Sequence, residues 1–132
     1  MKNVVKIASV LFLTLVAVWS CKEKVLDSDA ITIAAPSKGE VINGNDSVHI
    51  KAYIAVQESE LVNWDITVQD KKGSDIYASI GTCDCKSQNQ GIEVERAFGY
   101  DVTQSTEVKM TICAHYKNGE DACETTSFTI GK

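Results

Sequence analysis

The sequence predicts an all-β fold: a single antiparallel β-sandwich of about seven strands over residues 30–132. Three observations predict it. Residues 47–56 alternate strictly, with Val48, Ile50, Ala52, Ile54 and Val56 on one side and His49, Lys51, Tyr53 and Ala55 on the other. A period of two over that length means a sheet with one buried face. Turn signals rich in Gly, Asn, Asp and Ser recur about every ten residues. Beyond residue 24 no segment has an apolar stripe with the 3.6-residue period of a helix, and 57–62 allows a single helical turn at most.

In order, the first strand is 30–34, with Ile31 and Ile33 on one face, ended by Pro36-Ser37-Lys38-Gly39. A short piece, Glu40-Val41-Ile42, leads into the turn Asn43-Gly44-Asn45-Asp46. After 47–56 and a polar break, 61–69 repeats the alternation with Val62, Trp64, Ile66 and Val68 expected inward. A turn at 70–74 precedes the strand 75–80. A polar excursion over 81–91 carries Cys83-Asp84-Cys85. Residues 92–100 return to strand with Ile92, Val94 and Phe98 inward. The last two strands are 107–116 and 120–130, joined by Lys117-Asn118-Gly119.

The residues ahead of the sandwich have a different character. Lys2 and Lys6 precede an apolar run over 7–19, which is shorter than the roughly 20 residues a membrane-spanning helix needs. It ends in Val18-Trp19-Ser20-Cys21-Lys22-Glu23-Lys24, and no Ala-x-Ala-like site follows it. This stretch resembles a bacterial lipoprotein signal. The resemblance implies cleavage ahead of Cys21, acylation of Cys21 with diacylglycerol and amide-linked chains of palmitate type, and membrane attachment without a transmembrane helix. The expected organisation is a signal peptide over 1–20, a charged tether over 21–29 and the sandwich over 30–132. The alternative is an ordinary signal peptide with Cys21 as the first structural cysteine. Lys22 is not the Asp that retains some lipoproteins at an inner membrane, so the outer membrane is expected. Periplasmic or cell-surface orientation stays open.

A second resemblance covers 31–132. Ile33-Ala34-Ala35-Pro36-Ser37-Lys38-Gly39-Glu40-Val41-Ile42, followed by Val48-His49-Ile50-Lys51-Ala52, resembles the opening of bacterial immunoglobulin-like and fibronectin-type-III-like lipoprotein domains. Trp64 falls on the third strand, where such domains often carry a core tryptophan. The second strand has no Cys, so no inter-sheet disulfide can sit against it. The resemblance implies a recognition or spacer module, with no shared chemistry.

Charge narrows the partners. The chain carries a net charge of -5; loss of 1–20 removes Lys2 and Lys6 and no acid, leaving 11 basic against 18 acidic residues. An acidic domain is not drawn to nucleic acid by electrostatics, so the expected partners are a membrane through the anchor and a protein or glycan.

Four cysteines remain after Cys21, and export favours disulfides among them. If 117–119 form a three-residue loop closed by a left-handed Gly119, Tyr116 pairs with Glu120 and Cys113 faces Cys123. That position is non-hydrogen-bonded, with Cα atoms about 4.5 Å apart, within reach of a disulfide. A two-residue Asn118-Gly119 turn would instead pair Cys113 with Glu124 and put the cysteines on opposite faces. The first geometry is preferred. Cys83 and Cys85 could close on each other, or one or both could stay as thiols. In an alternative, Cys83, Cys85, Cys113 and Cys123, with His115 nearby, hold Zn or Cu(I), or Cys83 and Cys85 act as a thiol-redox site.

The other polar features have structural readings. His49 and His115 are outward on their strands and expected to hydrogen-bond there. Glu93 and Glu95 share one strand face at a spacing that could mimic a catalytic carboxylate pair, but are expected to be solvated. The oxygen-rich turns 43–46 and 70–75 lack the ligand spacing of an EF-hand loop. The chain contains no Ser/His/Asp order, nucleotide-binding glycine loop or zincin motif. No cofactor is expected, and a non-catalytic binding or accessory function is.

Overall fold

The computed structural model describes residues 30–55, 59–83 and 91–132. It contains eight strands: β1 (Ile31–Ala35), β2 (Val41–Asn43), β3 (Val48–Ile54), β4 (Leu61–Gln69), β5 (Asp75–Thr82), β6 (Ile92–Phe98), β7 (Thr106–Tyr116) and β8 (Asp121–Gly131). A three-stranded sheet has the order β1-β3-β6, and a five-stranded sheet the order β2-β8-β7-β4-β5. All pairings are antiparallel except that of β2 with β8. The result is an all-β sandwich of two sheets.

The eighth strand is the short 40–42 piece of the sequence. After Pro36 the chain crosses from the first sheet to the second, where Gly39 N–H donates to the Ser127 carbonyl and Thr129 N–H to that of Glu40. Strand β2 then runs parallel to β8, with Val41 opposite Thr129.

Alternation fixes which side chains form the core. On β3, Val48, Ile50, Ala52 and Ile54 are buried while His49, Lys51 and Tyr53 are exposed. They meet Trp64, Ile66 and Val68 of β4, Val94 and Phe98 of β6, Val108, Met110, Ile112 and Ala114 of β7, and Phe128 and Ile130 of β8. Among the described residues, these side chains form one contiguous core between the two sheets.

Two expectations are corrected. Val62 is exposed, not inward: the β4–β7 register shifts between Leu61 and Asn63, and Leu61 packs against the core instead. The extra residue reverses the phase of the strand's first turn of alternation. Strand β5 also runs two residues beyond 80, through Gly81 and Thr82. Gly81 lies directly beneath the Trp64 indole, where a Cβ would overlap the ring, so the residue that reads as a loop start is a strand position that only glycine fills. The inward placement expected of Val56 lies outside the described residues.

The open side of the sandwich, between edge strands β5 and β6, is closed by two side-chain pairs. Tyr77 stacks on Phe98 with ring centroids 4.5 Å apart. Arg96 lies over the Trp64 ring, its Cζ 4.7 Å from the centroid. Its Nε donates to Ser79 Oγ at 3.2 Å and its Nη1 to the Glu95 carbonyl at 2.7 Å. No helix among the described residues is long and apolar enough to cross a membrane.

Candidate functional site

The outer face of the five-stranded sheet brings together the polar residues that the sequence left scattered. The β7–β8 hairpin sets its geometry. Gly119 N–H donates to the Tyr116 carbonyl, Tyr116 N–H donates to the Glu120 carbonyl, and Gly119 has φ +84°. This is the three-residue loop with a left-handed glycine, and its register places Cys113 opposite Cys123 and His115 opposite Asp121. Cys113 and Cys123 are joined by a disulfide with Cα atoms 4.1 Å apart. The two-residue alternative is excluded.

Beside the disulfide, the His115 ring bridges three strands. Its Nδ1 is 2.8 Å from Asp121 Oδ1 on β8, and its Nε2 is 2.6 Å from Asp65 Oδ2 on β4. Asp65 is itself paired in register with Cys113, so carboxylate, imidazole and disulfide form one patch. A neutral imidazole has only one N–H, whereas the imidazolium donates to both carboxylates at once. Hydrogen bonding to Asp65 and then to Asp121 raises the His115 pKa above its ordinary value, against the opposing effect of partial burial.

A pH dependence follows. The folded-state pKa of His115 is raised, so the stabilisation it brings is fully present below the unfolded value near 6.5 and is lost as pH rises through the folded value. The thermal midpoint is expected to fall between about pH 6 and about pH 9 by the equivalent of roughly 0.5–1 kcal/mol, since the ring is about one-third exposed and screened. His115→Gln should flatten that slope, and an equally steep fall in the variant would assign it elsewhere.

The hairpin tip is held by residues outside the face. Lys117 N–H donates to the Glu60 carbonyl, Asn118 N–H donates to Ser59 Oγ at 3.1 Å, and Lys117 Nζ lies 3.4 Å from Glu60 Oε2. Tyr116 O–H donates to the Ala55 carbonyl at 3.3 Å. These contacts lock the tip of the hairpin to the β3–β4 connection.

On the opposite sheet, Lys51 lies 2.9 Å from Glu93 and 3.3 Å from Glu95. The ammonium lowers the Glu93 pKa, and the two carboxylates raise that of Lys51. The two glutamates therefore flank a lysine across the β3–β6 ladder; they do not form the isolated carboxylate pair that general acid–base work requires. His49 is exposed on the same face. The turn 70–74 is organised by Asp70, whose Oδ1 accepts from the N–H groups of Lys72 and Ser74. The turn at 43–46 uses the Asn43 Oδ1 in the same way, accepting from Asn45 N–H. A groove of about 580 Å³ lies between the first of these turns and residues 100–107.

Cys83 is disulfide-bonded and thus offers no thiolate to a metal as it stands. Its N–H donates to the Val62 carbonyl at the end of β5. Cys21 and Cys85 lie outside the described residues. Both ring nitrogens of His115, the imidazole of the metal alternative, face carboxylate oxygens. The sequence alone does not single out Asp65 or Arg96. Arg96 falls on the inward phase of Ile92, Val94 and Phe98, which was the available signal, whereas nothing local to Asp65 points to a histidine fifty positions away. Comparison with protein-family models finds no match, and comparison with curated proteins finds none either.

Proposed function

We propose that this chain is a lipid-anchored, non-catalytic binding or accessory module of the bacterial outer membrane, meeting a protein or glycan partner with its exposed sheet faces. One observation carries the reading. Ala30, the first of the described residues, is buried in the sandwich core and lies nine positions after the cysteine of the lipobox-like motif. Fully extended, that tether reaches about 30 Å, enough to hold a compact domain just clear of a bilayer. The histidine, lysine and carboxylates on the two outer faces are tied to one another, an arrangement suited to a stable recognition surface.

The test is metabolic labelling of the full chain with a palmitate analogue in a Gram-negative host. The wild type is expected to take up label and to fractionate with outer membrane, whereas Cys21→Ala should lose both. Label retained by Cys21→Ala, or an unlabelled soluble wild type, would sink the anchoring. Substrate turnover by the purified protein would sink the binding-module reading.

The disulfide at Cys83 also motivates a thiol-redox reading. A Cys83→Ser, Cys85→Ser variant that behaved like wild type would remove its basis.

A further inference from the structure

Every open sheet is left with edges whose backbone groups could pair with another chain, and natural edges carry protection against it. Three of the four here do. Strand β2 has only three residues. Strand β1 has a register shift between Ile33 and Ala35 and then meets Pro36. Strand β6 carries Glu93, Glu95 and Arg96. The fourth, β5, has no charge and no proline over Ile76-Tyr77-Ala78-Ser79-Ile80-Gly81-Thr82, and Ile80 is 78% exposed. Among the described residues, only β4 pairs with it.

The phase of the ladder identifies the groups that await a partner. Cys83 N–H donates to Val62, so the alternate residues Gly81, Ser79 and Tyr77 aim their N–H and C=O at β4. Ala78, Ile80 and Thr82 aim theirs outward. Their side chains stand on the exposed face of the sheet, while Tyr77, Ser79 and Gly81 face Phe98, Arg96 and Trp64.

We propose that β5 pairs antiparallel with β5 of a second copy of this chain, about a twofold axis at Ser79, joining the two five-stranded sheets into one. In that register Ala78 lies opposite Ile80 of the copy and Ile80 opposite its Ala78, both at positions whose backbone groups point outward. On the other face Tyr77 lies opposite Gly81, and Gly81 opposite Tyr77. Each large side chain meets a small one, as an isologous contact requires of a self-complementary strand. The net acidic charge of each domain opposes close approach, but the pairing run carries none of it. This contact does not rest on the lipid anchor.

The full chain, with the photo-crosslinker p-benzoylphenylalanine at Thr82, is irradiated in the expressing cells. The expected product has twice the chain mass and contains this chain alone. Ile80→Lys sets two cations diagonally across the axis and should cut the yield about tenfold, equivalent to about 1.4 kcal/mol. Combining Ala78→Glu with Ile80→Lys places Glu opposite Lys at both pairs and should restore it, which a misfolded variant would not do. Crosslinks only to other proteins, an Ile80→Lys yield equal to wild type, or a double variant that stays uncrosslinked would each overturn the proposal.

Discussion

Replacing Trp64 with alanine is expected to cost about 3–5 kcal/mol, a large part of the 5–15 kcal/mol that holds a domain of this size folded. The residue is 4% exposed, and three strands depend on it. Its indole lies over the backbone of Gly81 on β5 and beneath the guanidinium of Arg96 on β6. Truncation would open a cavity in the wall joining the two sheets. It would also leave Arg96 without the aromatic face that offsets its partial removal from water, while Ser79 and the Glu95 carbonyl still hold it in place. Urea unfolding should show a lower midpoint with an unchanged slope. Trp64→Phe, which keeps a ring under Arg96, should lose much less. The complementary change, Gly81→Ala, drives a methyl into the indole and should cost about 1–3 kcal/mol. A Trp64→Ala variant within about 1 kcal/mol of wild type would show that the cavity refills and that the indole is not what joins the sheets.

This region also marks the limit of what could be read in the sequence. Inward and outward positions on β3 and β6 follow from period-two alternation, a local property of each strand. The hairpin register followed as well, because a three-residue loop with glycine at its third position leaves little freedom in pairing. Val62 departs from the alternation because β4 bulges at Leu61–Asn63 in its pairing with β7, some fifty residues away. Gly81 read as a loop start because its reason for being glycine is an indole on a neighbouring strand. The Asp65–His115–Asp121 arrangement was half legible. Asp121 follows from the hairpin, six residues from His115, but Asp65 needs the β4–β7 register that only the folded sheet supplies. Patterns within one strand or one tight turn are written locally, whereas contacts across the sandwich are not.

Replacing both Cys113 and Cys123 with serine is expected to lower stability by about 2–3 kcal/mol and the thermal midpoint by about 10 °C or more. The bridge closes a short loop, with the two cysteines ten positions apart, and its main effect is to deny the unfolded chain conformations in which β7 and β8 separate. The fold itself should survive. The disulfide lies on the outer face, while Ile112, Ala114 and Ala122 hold the same two strands from the core side. The serine pair is a cleaner probe than reductant, because Cys83 is also disulfide-bonded and would be reduced as well. The loss should grow as pH rises through the His115 transition, because the imidazolium clamp to Asp65 and Asp121 spans the same strands as the bridge. Each then restrains what the other releases. A double-mutant cycle of the serine pair with His115→Gln at mildly acidic pH measures that coupling. Strictly additive losses would mean that bridge and clamp hold the hairpin independently, although they share one patch of the sheet.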